Sequence, residues 1–141
     1  MSNLTKSFNV KPRDFVGAGE ASIKVQEVLK AVGFEEDLIR RTSVCAYEAE
    51  MNIVMYGGDG NISLNIDPEK ITLNITDDGP GIENIEMSLV EGYTTSSAKY
   101  QEMGFGAGMG LPNIKKNSDS LEINSQKDKG THLKIGFRVE E

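Results

Sequence analysis

A pair of aspartates at the end of a strand pattern is the first feature that could support chemistry. Apolar and polar residues alternate over residues 71–76, which predicts a half-buried strand, and the chain continues as DDGPG at residues 77–81. Asp77 stands at the mouth of that strand beside glycine backbone that another group can approach closely. Its carboxylate can therefore accept a hydrogen bond from an amine such as that of adenine. An ordinary turn is the alternative, because Asp-Gly and Gly-Pro pairs mark turns in many proteins.

A second glycine-rich segment lies further along the chain. Residues 104–111 read GFGAGMGL, with glycine at every second position, and Pro112 follows. Since proline suits the first turn of a helix, the glycines should lead into a helix N-terminus. Bare N–H groups and the positive end of a helix dipole favour anions there, which predicts a phosphate-binding loop. A flexible linker is the alternative. The partial match to GxGxxG is weak evidence for a dinucleotide fold, because that fingerprint directly follows a strand.

A third candidate is the pair Glu48 and Asn52 in a predicted helix over residues 35–56. The two residues are four positions apart, so they share a helix face at the border of the apolar stripe. A carboxylate and a carboxamide placed there can hold Mg²⁺ through oxygen and orient a nucleophile. A solvated helix edge is the alternative. Glu50 points elsewhere on the same helix and is expected to be an unremarkable charged residue.

Composition limits the classes of protein to consider. The chain has 141 residues, 38% hydrophobic and 26% charged, with a net charge of −7. These values predict a single globular domain over residues 1–141 and argue against nucleic acid as a partner. No apolar stretch approaches a membrane span, and the N-terminus lacks the apolar core of a signal peptide, so we expect a cytoplasmic protein without membrane contact. The single cysteine, Cys45, lies in an apolar stripe and is expected to pack in the core.

The predicted elements determine the fold class. Strand patterns cover residues 6–10, 62–66, 71–76, 121–125 and 131–139, and helix patterns cover residues 19–32, 35–56, 85–92 and 111–117. This order predicts an α+β two-layer sandwich in which helices pack on one face of a mixed, mostly antiparallel sheet. His132 falls on the opposite face of the last strand from the apolar residues and is expected to be exposed rather than catalytic.

Together these motifs resemble the Bergerat-fold ATPases, the superfamily of gyrase, the ninety-kilodalton heat-shock chaperones, histidine kinases and MutL. The matching positions are Glu48 and Asn52 of the N-box, Asp77, Gly79 and Gly81 of the DxGxG box, residues 104–111 of the second glycine box, and Thr131 of a late strand. Within the superfamily, the small size and the segments NIVMYGGDG, EGYTTSS and GAGMGLPNIKKNSD resemble the anti-sigma serine/threonine kinases, and most closely the switch kinases of stress-signalling modules. Tyr56 stands where many anti-sigma kinases have histidine, which favours the switch-kinase branch.

The resemblance implies a role for each matching residue. Glu48 would be the general base, Asn52 would ligate Mg²⁺, and Asp77 would bind adenine with help from Thr131. Residues 94–99 would form a lid over the phosphates of ATP, and Lys99 is either a charge donor or a solvated lysine. The full set implied in binding ATP is Asn52, Asp77, Gly79, Gly81, Ile82, Thr94, Thr95, Lys99, Gly104, Phe105, Gly106, Ala107, Gly108, Met109, Gly110, Leu111 and Thr131.

A complete histidine kinase needs a phosphoacceptor histidine and a dimerisation helix pair, and the only histidine here, His132, is in the last strand. The phosphate is therefore expected to go to a partner protein or to water. The resemblance implies a serine or threonine on a STAS-type anti-anti-sigma protein. A sigma factor, a downstream phosphatase and a second copy of the chain are further partners that it implies. A nucleotide-gated binding module that sequesters a regulator with little turnover is the alternative function.

Overall fold

The computed structural model describes residues 3–82, residue 89 and residues 110–139. Within these ranges five strands form one layer and three helices form the other. Their bounds, in chain order, are β1 Leu4–Val10, α1 Glu20–Val32, α2 Glu36–Tyr56, β2 Gly60–Ile66, β3 Lys70–Asp77, α3 Gly110–Asn117, β4 Ser120–Gln126 and β5 Gly130–Arg138. The helix predicted over residues 85–92 lies outside the described residues except for residue 89.

The strands form one sheet in the order β1-β2-β3-β5-β4. Each of the four neighbouring pairs is antiparallel, so the described part of the sheet contains no parallel pairing. In the central strands, Leu73 is paired with Leu64 on one side and with Ile135 on the other, and all three are buried. Because neighbours in register share a face, this row forms the floor of the core. The predicted fold class is confirmed.

The two faces of the sheet differ sharply in polarity. The inner face, which the helices cover, carries buried aliphatic residues and Phe137. The outer face carries polar residues such as Ser63, Asn74 and His132, as expected of an antiparallel sheet with one solvated side. His132 lies on this outer face, as predicted, and its Nε2 is 3.2 Å from the Oδ1 atom of Asn74. It is half-buried rather than fully exposed.

The helices form the second layer. In α1 the buried residues Ala21, Val25 and Leu29 recur at helical spacing, and Gly33 ends the helix in a left-handed conformation, where its N–H donates to Leu29 O at 3.1 Å. The long helix α2 contributes the largest set of buried side chains, and among them Cys45 is fully buried, as predicted. No helix in the described ranges is long and apolar enough to cross a membrane.

Candidate functional site

One end of the candidate site is built around Asp77, the last residue of β3. Strand pairing places Asp77 opposite Gly60 on one side and Thr131 on the other. Its Oδ1 atom accepts hydrogen bonds from the backbone N–H groups of Gly58, at 3.2 Å, and Gly79, at 2.8 Å. The carboxylate is therefore fixed by the α2–β2 connection and by the turn that follows β3, which leaves it little freedom to rotate.

The two turns that hold Asp77 cross in direct contact. A Cβ atom at Gly79 would overlap the backbone of Gly57 and Gly58, and it would stand 2.8 Å from the Oδ1 atom of Asp77. Only a residue without a side chain fits at such a crossing. The glycines predicted to let a ligand approach the backbone thus also let one backbone segment approach another.

Arg13 supports this end of the site from the loop before α1. Its backbone N–H and its Nη1 both donate to Val54 O, at 2.8 and 2.9 Å, and Nη1 also reaches Gly57 O at 3.4 Å. Val54 lies in the last turn of α2 and Gly57 is the C-cap residue that follows it, and carbonyls at a helix end have no helical partner of their own. Arg13 therefore anchors the end of α2 just before Gly58. Arg13 was not predicted as part of the site, because no local motif marks it.

Ser125 links the first glycine turn to Thr131. Its Oγ atom accepts a hydrogen bond from the Ile82 N–H at 2.7 Å and lies 3.0 Å from the Oγ1 atom of Thr131. Ser125 and Thr131 are directly paired in the β4–β5 hairpin. Thr131 and Ile82 were predicted from the sequence but Ser125 was not, although the register of that hairpin could have identified it.

The other end of the site lies between α2 and α3, which run antiparallel. Successive contacts join Arg41 to Asn117 and Cys45 to Ile114: Arg41 Nη1 donates to Asn117 O at 3.1 Å, and Cys45 Sγ to Ile114 O at 3.6 Å. Asp119 lies 4.0 Å from the same Nη1 atom. This series of contacts fixes the register in which the start of α3 meets Glu48 and Asn52.

Glu48 and Asn52 converge on Gly110, the first residue of α3. A Cβ atom at Gly110 would stand 3.1 Å from Asn52 Oδ1 and 3.5 Å from Glu48 Oε2. Both side chains are half-buried, so they border a space between two helices rather than a fully solvated edge. The predicted i, i+4 pair therefore meets the end of the second glycine segment at one point.

The environment of Glu48 changes its acidity. Burial raises the pKa of the Glu48 carboxyl above its ordinary value, and a hydrogen bond from the side chain of Asn113 opposes that rise. Cys45, one turn earlier, is desolvated more strongly, and its thiol has a pKa raised to about 12. Cys45 is therefore a packed, protonated thiol, whereas Glu48 is a carboxylate suited to taking up a proton.

Glu50 is not the unremarkable residue predicted from the sequence. It is 2% exposed, and its two carboxylate oxygens accept hydrogen bonds from the backbone N–H groups of Gly19, Ala21 and Ser22, at 3.0, 3.2 and 3.0 Å. Gly19 occupies the N-cap position of α1 and has no side chain to cap it. Glu50 supplies the missing cap from α2, at the positive end of the α1 dipole. The prediction failed because the partner is distant in sequence.

The described residues include about half of the predicted ATP-binding set. Leu111 is among them, but its side chain is buried in the core and only its backbone remains for a ligand. The two ends of the site are joined by α2: Gly57 follows Glu48 by nine positions, which is about 13 Å along the helix axis. The predicted residues outside the described ranges are Thr94, Thr95, Lys99, Gly104, Phe105, Gly106, Ala107, Gly108 and Met109.

Known proteins are similar to this chain in sequence and in fold. The family described as the histidine kinase-like ATPase domain matches residues 18–137. The serine/threonine-protein kinase RsbT of Bacillus subtilis is 32% identical over 112 residues, which span 77% of this chain and 78% of RsbT. An anti-sigma F factor of Clostridium kluyveri is 33% identical over 91 residues, which span 61% of each protein.

Two solved structures share the fold at low sequence identity. A mycobacterial sensor histidine kinase, MprB, has a TM-score of 0.55 at 16% identity and aligns over 97% of this chain and 99% of its own. The SiaB–SiaC complex from Pseudomonas aeruginosa has a TM-score of 0.58 at 15% identity, over 95% and 89%. The resemblance inferred from the four motifs is confirmed, and the relatives include a protein named as a serine/threonine kinase, as that resemblance implied. This chain belongs to the histidine kinase-like ATPase family.

Proposed function

We propose that this protein is an ATP-dependent protein serine/threonine kinase of a partner-switching system, which phosphorylates a STAS-type antagonist protein in the cytoplasm. The observation that carries the proposal is the convergence of Glu48 and Asn52 on Gly110, where the second glycine segment becomes a helix. The similarity to RsbT and to anti-sigma F factors supports the same activity.

In this proposal Asp77 binds the adenine. Its Oδ1 atom accepts the Gly58 and Gly79 N–H groups, so its Oδ2 atom is the one that accepts the exocyclic amine. Thr131, opposite Asp77 in β5, supports the base through a water molecule. Gly79 and Gly81 keep the turn free of side chains against which the purine would otherwise collide.

Mg²⁺ is proposed to bind through Asn52. Among residues 3–82, 89 and 110–139, no group of three or more His, Cys, Asp or Glu side chains could hold a metal ion. An oxygen of Asn52 together with phosphate oxygens and water suits Mg²⁺, which commonly binds through one or two protein oxygens and the substrate phosphates. The Oδ1 atom of Asn52 lies beside Gly110, at the start of α3, which fits that role.

Glu48 is proposed to be the general base. It takes the proton of the acceptor hydroxyl as the hydroxyl oxygen bonds to the γ-phosphorus, while the bond from that phosphorus to the bridging oxygen breaks and ADP leaves. The raised pKa of Glu48 brings its basicity closer to working pH, which favours proton transfer. Positioning and charge neutralisation account for most of phosphoryl-transfer catalysis, and the second glycine segment, with the lid over residues 94–99, would supply them here.

The similarity to anti-sigma F factors favours a second candidate function. In that case the protein is a nucleotide-gated module that binds a sigma factor or another regulator with little turnover. A downstream phosphatase or a second copy of the chain would then be a binding partner rather than an accessory to phosphorylation.

Incubation with γ-labelled ATP and each STAS-domain protein encoded nearby separates the two functions. We expect label on one serine or threonine of one acceptor with the wild-type protein, and none with Glu48→Gln, whose ATP affinity by calorimetry stays within about threefold because the adenine end is untouched. Equal labelling by both proteins would refute the base assignment. Stable, ATP-dependent complex formation without labelling would favour the binding module.

A further inference from the structure

Ser125, Thr131 and Asp77 lie side by side across three strands at one end of the sheet. All three are on the face that the helices cover, because they continue the alternation that buries Ile75 and Leu133 on that face. The hydroxyl groups of Ser125 and Thr131 are therefore on the same side of the sheet as the Asp77 carboxylate, which is proposed to bind the adenine amine.

The Ser125 hydroxyl has three polar neighbours and only one proton. Its Oγ atom lies 2.7 Å from the Ile82 nitrogen, 3.0 Å from Thr131 Oγ1 and 3.3 Å from Gly130 O. The Ile82 N–H can only donate a hydrogen bond, and the Gly130 carbonyl can only accept one. Thr131 can do either, so the direction in which Ser125 donates decides the role of the Thr131 hydroxyl.

The distances favour donation from Ser125 to Thr131. Hydrogen bonds from a hydroxyl to an oxygen are commonly about 2.5–3.0 Å long, a range that includes the Thr131 contact but not the Gly130 contact. The short bond from Ile82 polarises the Ser125 hydroxyl and makes it a better donor. The bonds then run in one direction, from Ile82 to Ser125 and on to Thr131, and the Thr131 proton is left for a ligand.

The first bond of this series has a fixed origin, because the turn before Ile82 packs against the β4–β5 hairpin. The Asp128 N–H donates to Pro80 O at 2.9 Å. A Cβ atom at Gly81 would stand 2.9 Å from Ser125 Oγ, and the φ of Gly81 is 85°, which glycine adopts readily. The Ile82 N–H is thus held against Ser125 from both sides of the contact.

A donor at Thr131 complements the acceptor at Asp77. In adenine the exocyclic amine, a donor, is next to the ring nitrogen N1, an acceptor. Asp77 can accept from the amine while Thr131 donates towards N1, directly or through water. A bridging water that gives its two protons to N1 and to the carboxylate must itself accept a proton, and Thr131 can supply it. Guanine reverses the pattern, with a carbonyl next to an N–H group.

We propose that Ser125 is a positioning residue for purine recognition: it directs the Thr131 proton towards the base, so that the site recognises N1 of adenine as well as its amine. This inference rests on the adenine-binding part of the proposed function and is independent of the phosphate acceptor. Without Ser125 the Thr131 hydroxyl can rotate, and it then offers N1 a lone pair as readily as its proton.

The test compares ATP with 1-deaza-ATP, in which a C–H group replaces N1. Calorimetry measures the binding of both nucleotides to wild type, to Ser125→Ala and to Thr131→Val, which lacks the hydroxyl. Ser120→Ala is the matched control, because Ser120 lies in the same strand on the opposite face of the sheet. The readout is the ratio of the two dissociation constants, since a general loosening of the site would weaken both nucleotides equally.

We expect wild type and S120A to bind ATP about tenfold more tightly than 1-deaza-ATP, because the analogue leaves a donor unpaired. The ratio should fall to within about twofold in T131V and about threefold in S125A. An S125A ratio equal to that of wild type would overturn the inference, even if S125A binds both nucleotides more weakly. A wild-type ratio near one, or no binding of ATP, would also overturn it.

A second variant keeps the test decisive if alanine loosens the hairpin. Ser125→Cys has a side chain of similar size with a weaker donor, so its ratio should lie between those of S125A and wild type. The same measurements separate this inference from the kinase activity. If the ratio falls as expected, the inference holds even when no STAS-domain protein is labelled. If an acceptor is labelled but the ratio is the same in wild type and S125A, the proposed function stands and the inference is rejected.

Discussion

The Oδ1 atom of Asp77 accepts a 2.8 Å hydrogen bond from the backbone N–H of Gly79, two residues further along the chain. The N–H of Gly58 approaches the same oxygen at 3.2 Å. Two fixed donors on one oxygen define which oxygen faces inward and which remains for a ligand. If an amide replaces this carboxylate, its oxygen must keep both bonds because an NH₂ group cannot accept them, so the atom at the Oδ2 position becomes a donor.

Asp77→Asn is expected to weaken ATP binding at least about tenfold. Its amide oxygen should stay with Gly58 and Gly79, which turns the NH₂ group towards the adenine amine, so that a donor meets a donor. Calorimetry with Mg-ATP measures the loss. Asp78→Asn is the matched control, because Asp78 is the exposed neighbour, and it should bind ATP like the wild-type protein. Unchanged affinity in D77N would exclude Asp77 from the adenine site.

The parts that could be predicted from the sequence are those whose signal is local. Alternation of apolar residues identified the β2–β3 hairpin, and the observed strands, Gly60–Ile66 and Lys70–Asp77, extend the predicted ones by two residues or fewer at each end. The i, i+4 spacing placed Glu48 and Asn52 together on one face for the same reason. Each of these features depends on residues close together in the sequence, so it could be predicted without knowledge of tertiary packing.

The roles of Glu50, Ser125, Arg13 and Asn113 could not be predicted in this way. Each acts on a partner in another element: Glu50 caps α1 from α2, and Asn113 reaches Glu48 across the α2–α3 seam. Their side chains are of ordinary types at ordinary spacings, so only the packing and pairing of separate elements gives them a role. The missing side-chain cap at Gly19 was the one local hint that a distant carboxylate would be needed.

Glu50→Gln is expected to destabilise the folded protein by about 2 kcal/mol, because one amide oxygen must replace two oxygens that accept three buried N–H groups. Urea denaturation measures the change. Glu48→Gln, the same substitution two residues earlier, is the control, and it should not be destabilised at neutral pH. Equal unfolding midpoints for E50Q and wild type would show that the α1 cap contributes little.

The rate of phosphate transfer should begin to fall, as the pH is lowered, at a higher pH than it would if the base were a glutamate of ordinary pKa. Burial raises the pKa of Glu48 above its ordinary value of 4.5, only partly offset by the Asn113 hydrogen bond. The base therefore becomes protonated, and inactive, as pH drops through the raised value. The transfer rate measured against pH, at saturating ATP, checks this. An acid limb centred at or below the ordinary carboxylate value would contradict it.

The same raised pKa predicts a dependence of stability on pH. Below the ordinary value Glu48 is protonated in both states and its contribution to stability is fully present. As pH rises the unfolded chain ionises first, so that contribution is lost progressively until the raised native pKa is passed. Glu48→Gln, which stays neutral, should therefore be more stable than wild type at neutral pH and equal to it in acid. Parallel stability curves for the two proteins would count against a buried, perturbed Glu48.

Gly110→Ala tests the space between the two helices. The backbone of Gly110 is not among those with positive φ, and alanine favours a helix by up to about 1 kcal/mol, so the free energy of unfolding should change little. The new methyl group would stand 3.1 Å from Asn52 Oδ1 and 3.5 Å from Glu48 Oε2, the region assigned to the metal. We expect Mg-ATP affinity to fall about tenfold through loss of one metal–ligand interaction.

The internal control for Gly110→Ala is ATP binding measured with the metal chelated. If the methyl group acts on the Asn52 metal site, the difference between wild type and variant should shrink to within about twofold when magnesium is removed, because adenine binding at Asp77 is unaffected. A loss of equal size with and without magnesium would instead mean that the methyl group displaces the phosphates directly. Wild-type affinity under both conditions would mean that the space beside Asn52 is not part of the binding site.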